Sequence, residues 1–262
     1  MLKKINSKNN QIIKRYSLLK TKKKRDILKR FIIEGHKFVN EAIKEKVSIR
    51  SILVSDSFYY SNKIFIDKLS LEYDIYIFDN SLLKRISDTE NSQGILAEID
   101  FNKSDNKIVN DHILILDEIS DPGNMGTIIR SADAFGFNFI YLIQGCVDIY
   151  NSKVLRSTMG SVFRVSTILI NDREDFIKEL KNKEYKIFST SLEGREFNFF
   201  RDSFQKKAFV IGNEASGISE IFKKESDFLI KIPICKKVES LNAAVAASII
   251  MYEYNKIEIF SS

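Results

Sequence analysis

The chain has 262 residues, 44% of them apolar, enough for one large domain or two modest ones with a sizeable core, and this excludes global disorder. No run approaches the ~18 consecutive apolar residues of a membrane span, and MLKKINSKNN has no apolar stretch behind its charges to make a secretory signal. Two distant cysteines, Cys146 and Cys235, and two histidines, His36 and His112, argue against a disulfide framework, a metal site and most His-based triads, and fit a reducing cytoplasm.

The net charge of +6 is unevenly spread: residues 1–30 hold twelve Lys/Arg against one acid, Asp26, a net +11 that leaves the other 232 residues at −5. A basic helix is predicted over about 9–28. Its charge suits a phosphate backbone, where each contact releases counterions, and equally suits a plain solvated face. The short apolar run Phe31-Ile32-Ile33 follows, then a helix over HKFVNEAIKE, the run SILV, a further helical stretch to about 73, the strand IYIF and the run GILAEI at 94–99. FNKSDNKIVND (101–111) is polar and turn-rich and is predicted to link a domain of residues 1–100 to one of 112–262.

Beyond the linker, HILILDEI reads as a buried strand, and TIIRSADAFG as a helix closed by Gly136 at C′. FNFIYLI, VSTILI, YKIFSTS, KAFVIG and DFLIKIPI read as further strands with helices between them, and ESLNAAVAASIIMYEYNK as a final helix. In that helix Ala243, Ala244, Ala246 and Ala247 would let a neighbouring backbone come close. This alternation predicts an α/β fold with a largely parallel sheet covered by helices.

Three loops follow predicted strands, at the edge where open α/β sheets hold ligands. SDPGNMGTIIR (120–130) offers the Asn124 amide and, one turn into a helix, the Arg130 fork of donors. VIGNEASGIS (210–219) nearly has P-loop spacing, but Ile218 stands where the lysine would be, and no clear Walker-B strand end accompanies it. IPICKKVESLNAA (232–244) puts Ser240 and Asn242 at a helix start, where backbone amides lack partners. No GxGxxG follows any predicted strand, which disfavours a Rossmann-type site. Each loop alone is compatible with an ordinary turn or cap; three at one edge point to a polar ligand pocket.

DPGNMGTIIRSADAFG resembles the first motif of the SpoU (TrmH-like) branch of the SPOUT RNA methyltransferases, with Asn124, Gly126 and Arg130 in place. IGNEASGIS resembles the second, through Gly212, Asn213, Glu214 and Gly217, and IPICKKVESLNAAVAASIIMYE the third, through Ile232, Pro233, Ser240, Leu241 and Asn242. KVLRSTMGSVFRV (153–165) is similar to the segment between the first two motifs, and FIIEGHKFVNEAI with SQGILAEI to the family's N-terminal substrate-binding domain. The departure is Cys235-Lys236-Lys237, where relatives usually carry Met and Gly.

The resemblance implies a trefoil-knotted, mostly parallel catalytic domain with a smaller N-terminal α/β RNA-binding domain, working as a cytoplasmic homodimer without a metal or a membrane. It implies methyl transfer from S-adenosylmethionine to a ribose 2′-hydroxyl of RNA, ribosomal RNA being favoured over transfer RNA. Arg130 would act on the 2′-hydroxyl, with Asn124 and Glu214 orienting ribose and Arg130, and Ser240 and Asn242 near the reacting centre. The cofactor would lie against Thr190, Ser191, Gly194, Ile211, Gly212, Asn213, Gly217, Ile232, Pro233, Ile234, Ser240, Leu241, Asn242 and Val245. Lys153, Arg156, Lys22, Lys23, Lys24, Arg25, Glu34 and Gly35 would meet RNA.

Overall fold

Short runs of Ile, Val, Leu and Phe form the strands of two sheets in the computed structural model, which describes residues 1–5, 7–101, 108, 112–196, 204–235 and 237–261. The chain begins with β1 (Leu2–Ile5), α1 (Gln11–Leu18), α2 (Lys22–Leu28), β2 (Arg30–Glu34) and α3 (His36–Lys44). It continues through β3 (Ile49–Ser55), α4 (Asp56–Ser61), α5 (Lys63–Leu69), β4 (Ile75–Phe78), α6 (Leu83–Ile86) and β5 (Ile95–Asp100). Next come β6 (Ile113–Asp117), α7 (Pro122–Ala134), β7 (Phe139–Ile143), α8 (Ser152–Thr158), β8 (Ser166–Ile170) and α9 (Arg173–Asn182). The last elements are β9 (Lys186–Glu196), β10 (Lys207–Gly212), α10 (Glu220–Glu225), β11 (Phe228–Lys231) and α11 (Ala243–Ser261).

Two units result: Met1–Lys103 with Tyr150–Phe163, and Ser104–Ile149 with Arg164–Ser262. This departs from a single cut at 101–111, since α8 and its flanks pack into the first unit. Leu155 and Val162 join the cluster of Phe31, Ile33 and Val39, and the Tyr150 ring stacks on Phe101 at 4.0 Å and on Phe31 at 4.4 Å. Of the expected linker only Phe101 and Ile108 are among the described residues, and Ile108 is buried in the second unit's core.

The first unit's sheet runs β1-β4-β3-β5-β2, with β5 antiparallel to both β3 and β2. Period-2 alternation gives it two apolar faces. Ile95, Ala97 and Ile99 look toward one cluster, and Leu96, with Leu53, toward the face that α1 covers through Ile13 and Tyr16. Glu98 falls on the α1 side and is fully buried. There Arg15 Nη2 reaches it at 2.6 Å, Arg30 Nη1 at 3.1 Å and the Ser51 hydroxyl at 3.1 Å, so this one carboxylate joins α1, β2 and β3 to β5.

The expected single basic helix is two. Arg25 folds back and donates from Nη1 to the carbonyls of Leu19 and Lys20, at 2.9 and 2.8 Å, which takes up the free end of α1. Residues 2–5, not expected to be a strand, pair in parallel with β4.

The second unit holds a six-stranded sheet, β11-β9-β10-β6-β7-β8, parallel throughout. One face meets α9 and α10 through Phe176, Leu180 and Phe222. On the other side α7 buries Met125, Ile128 and Ile129, and α11 buries Ala244, Ala247, Ile250 and Met251. Of the four alanines expected to admit a neighbouring backbone, Ala244 and Ala247 are buried on this side, and Ser248 Oγ lies 2.8 Å from Ser131 Oγ across α7 and α11.

Glu98→Ala is expected to destabilise the first unit by about 3 kcal/mol, because two half-exposed arginines lose their shared buried partner. Urea unfolding reads this directly, and an unchanged midpoint would contradict the anchoring role.

Candidate active site

All six strands of the second sheet run the same way, so the segments after β6, β10 and β11 leave from one edge. The segment after β6 is shorter as a loop than expected. Asp121 accepts from Asn124 N at 2.7 Å as N-cap and Pro122 stands at N1, so α7 starts before Gly123 and Gly126 rather than after them. Arg130 therefore sits more than two turns into α7, exposed, with no hydrogen-bond or ion-pair partner among the described residues.

Asn242, Asn124 and Glu214 form a relay across the three segments. Asn242 Oδ1 accepts from Ala244 N and Val245 N, at 2.9 and 3.2 Å, capping α11 and leaving its Nδ2 to donate to Asn124 Oδ1 at 2.8 Å. Asn124 Nδ2 then donates to Glu214 Oε1 at 2.8 Å, and the Ser120 hydroxyl donates to Oε2 at 3.3 Å. Partial burial opposes ionisation of Glu214, but these donors and nearby backbone N–H groups outweigh it and hold its carboxyl below the usual carboxylate range. No hydrogen bond or ion pair joins Glu214 to Arg130, the partner expected for it; its carboxylate oxygens accept from Asn124 and Ser120.

The loop after β10 is shaped by contact with its own strand. A Cβ on Gly212 would come within 2.2 Å of Gly217 C and 2.3 Å of Ile218 N, so only glycine lets the loop fold back across the strand end. Asn213 and Gly217 close the loop as a bridge, with N–H to O distances of 2.9 and 3.0 Å. Gly217 takes φ +72. Glu118 lies opposite in the left-handed region at φ +61, a strain of about 1–3 kcal/mol for a non-glycine residue. Its carbonyl accepts from Asn213 Nδ2 at 2.7 Å.

On β9 the pairing with β11 jumps from Ser189 to Arg195 while β11 advances only from Leu229 to Ile230. The intervening residues bulge outward, and Gly194 is the point where β11 passes closest, a Cβ there meeting the Ile230 and Leu229 backbone at 2.7 Å. This bulge, the 212–218 loop and the 232–241 segment enclose a cleft of about 440 Å³.

Of the residues expected at the cofactor, Thr190, Ser191, Ile211, Gly212, Asn213, Gly217, Ile232, Ile234, Ser240 and Leu241 line this cleft. Gly194, Pro233, Asn242 and Val245 do not. Gly194 acts in strand packing, Asn242 in the relay, and Val245 is exposed at 47% on α11. Leu192 and Glu193, within the wall expected from Thr190 to Gly194, line it too, while sequence reasoning missed Ile218, Ile230, Ala243 and Ala246 among others. The i, i+3 spacing of Ala243 and Ala246 signals one helix face; the β9 bulge has no such signature. Lys236 lies outside the described residues, while Cys235 and Lys237 are exposed.

The residues expected at RNA all belong to the first unit. Lys22, Lys23, Lys153 and Arg156 are exposed and Lys24 is half-buried. Arg25 is a correction: it is only 7% exposed and is committed to α1's carbonyls. Glu34 is half-buried, its Oε1 accepting from the Ser87 and Thr89 hydroxyls, both at 2.7 Å, and its Oε2 from Asp88 N at 3.3 Å. Gly35, at φ +108, opens α3.

Residues 111–252 match the model of the SpoU rRNA Methylase family, and residues 10–97 that of the MRM3-like substrate binding domain. The chain is 33% identical over 253 residues to the Bacillus subtilis 23S rRNA (guanosine(2553)-2′-O)-methyltransferase RlmP, covering 96% of this chain and 98% of that one. The AdoMet-bound rRNA methyltransferase from Sinorhizobium meliloti superposes with a TM-score of 0.84 at 27% identity, covering 97% of this chain and 98% of the other. AviRb from Streptomyces viridochromogenes, a SpoU methyltransferase in complex with AdoMet, superposes at 0.85 over 96% of this chain and 99% of its own, and at 24% identity shows the shared fold alone.

Gly212→Ala is expected to leave the chain folded but abolish cofactor binding by calorimetry, since the added methyl meets backbone and not a movable side chain. The relay also has a pH signature. A carboxyl depressed by folding contributes stability above its unfolded pKa and loses it as pH falls through the folded value, so the relay should open only in acid, below the ordinary range of ~4.3. Carbon-detected NMR titration of Glu214 should show this depression in the unsubstituted chain and its relief in Asn124→Ala.

Proposed function

The chain belongs to the SpoU rRNA methylase family, and on that premise we propose how its residues divide the work of an S-adenosylmethionine-dependent RNA ribose 2′-O-methyltransferase. Ribosomal RNA is favoured over transfer RNA as substrate, because a relative that aligns along nearly its whole length is a 23S rRNA methyltransferase. The observation that carries the division of roles is the relay from Asn242 through Asn124 to Glu214, beside a cleft walled by the second and third segments.

The cleft suits S-adenosylmethionine. Ile211, Ile218, Ile232 and Leu241 supply apolar walls for a nucleoside, and Glu193, Glu239, Lys223 and Lys231 offer both signs of charge to a zwitterionic tail. Bound there, the cofactor supplies an electrophilic methyl group on a cationic sulfonium. The chain's own residues do the rest. Gly212, Leu241 and the Thr190–Ser191 bulge hold the adenosine, while Ser240 stands exposed at the cleft wall. Asn124, its amide fixed at both ends, presents a rigid edge for the ribose.

Arg130 stabilises the oxyanion that develops at the 2′-oxygen and grips a neighbouring phosphate. Its guanidinium stays protonated and is no base, so the proton leaves to phosphate or water. Lys22, Lys23, Lys153 and Arg156 meet RNA phosphates on the first unit, and Lys24 contributes at its edge. A homodimer, a trefoil knot and a cytoplasmic location are part of the same proposal. Exposed Val245 and Tyr252 on α11 support the dimer. No step calls for a metal.

Arg130→Ala is expected to abolish methylation while S-adenosylmethionine affinity stays within about twofold, the pattern of a lost transition-state contact. Near-normal turnover by this variant would sink the mechanism. Mapping 2′-O-methylation across total RNA from cells with and without the gene identifies the target, and a lost mark confined to transfer RNA would overturn the ribosomal assignment.

A further inference from the structure

We propose that Arg173 is a positioning residue for cofactor binding, bracing both ends of the 213–219 loop through two adjacent carboxylates. The inference rests on the reading of that loop as a wall of the S-adenosylmethionine cleft. Arg173 is the first residue of α9, lies outside all three motif segments and does not line the cleft. Its Nη2 stands 2.6 Å from Glu118 Oε1 and 3.3 Å from Asp117 Oδ1.

Each carboxylate leads to one end of the loop. Asp117, 1% exposed at the end of β6, accepts from Ser219 N at 2.7 Å through Oδ2 and so fixes the loop's exit. A carboxylate this deeply buried needs a counter-charge, and Arg173 is the cation that reaches it.

Glu118 works through its backbone. The left-handed conformation at φ +61 goes with a carbonyl that meets Asn213 Nδ2 at 2.7 Å. Asn213 Oδ1 in turn accepts from Ala215 N and Ser216 N, at 2.9 and 3.2 Å, so the loop's entry takes its shape from Glu118. Two features hold Glu118 in place: Arg173 on its carboxylate, and Gly145, where a Cβ would come within 2.8 Å of Glu118 Cγ. One guanidinium thus sets the entry and exit of a loop that it never touches.

The test is calorimetric titration of the full chain with S-adenosylmethionine, alongside methylation kinetics, for the unsubstituted chain, Arg173→Met, Arg173→Lys and Glu118→Ala. Arg173→Met and Glu118→Ala are expected to raise Kd by about tenfold, the scale on which outer partners tune a site. Arg173→Lys keeps the charge and should fall between them and the parent. At saturating cofactor kcat should stay within about threefold, because the reacting groups are untouched. An arginine that only held the fold together would lower the thermal midpoint and the active fraction while leaving the Kd of the folded molecules unchanged. A Kd within about twofold of the parent in both Arg173→Met and Glu118→Ala therefore overturns the proposal. If Arg173→Met does not fold, Glu118→Ala, whose side chain is half-exposed, decides by the same criterion. Absence of binding by the unsubstituted chain would instead overturn the cofactor reading of the cleft, and the brace with it.

Discussion

An ionised carboxylate accepts hydrogen bonds and donates none, and this single limitation at Glu214 orders the site. Because Glu214 Oε1 must be met by a donor, Asn124 has to turn its NH₂ toward it and its carbonyl away. The carbonyl then needs a donor of its own, and Asn242 supplies one because its Oδ1 is already taken by the first amides of α11. The direction of every amide is thus determined from two ends, by a charge on one side and a helix cap on the other. Three chain segments far apart in sequence share one hydrogen-bond polarity, and turning any one amide would break the bonds on both of its sides.

The relay leaves Arg130 unattached, and this division is chemically useful. In the role proposed for Arg130, a glutamate paired with it would neutralise a cation meant for phosphate and developing negative charge. Glu214 accepts from Asn124 and Ser120, and among the described residues no ion pair or hydrogen bond engages Arg130. Asn124 and Asn242 are each held by two or more bonds, and Arg130, to which the proposal gives the incoming polyanion, is exposed on α7. Fixed amide dipoles with an exposed cation suit the proposed reaction, whose substrate is a long chain and whose geometry is narrow.

Much of this was legible in the sequence, for reasons that can be named. Strand runs such as ILILD and KAFVIG are buried on both faces and so read as continuous apolar stretches. Gly212, Asn124 and Asn242 are residue types chosen for backbone approach and two-sided bonding, and each does that work. What escaped was set by tertiary contact. The helix start at Pro122 depended on Asp121 capping it, which makes Gly123 and Gly126 helical despite their low propensity. Arg25 looked like one more cation in KKKR, and only the end of α1 folding against it shows that it is internal. The β9 bulge and the return of 150–163 to the first unit arise from pairing register and long-range packing, which local patterns do not encode.

The near-match of VIGNEASGIS to a phosphate loop has a physical resolution. In such loops glycines let backbone amides approach phosphate oxygens, and a lysine reaches over them. Here the space that a side chain at Gly212 would need is filled by the chain itself, Gly217 and Ile218 crossing at van der Waals limit. Ile218, in the lysine's place, is 3% exposed and packs with Val210 and Phe222 in the core. A lysine there would set an unpaired charge against that core. The same spacing of small residues therefore answers a different demand, a loop folded tightly onto its own strand, with Asn213 and Glu214 held outward at the turn.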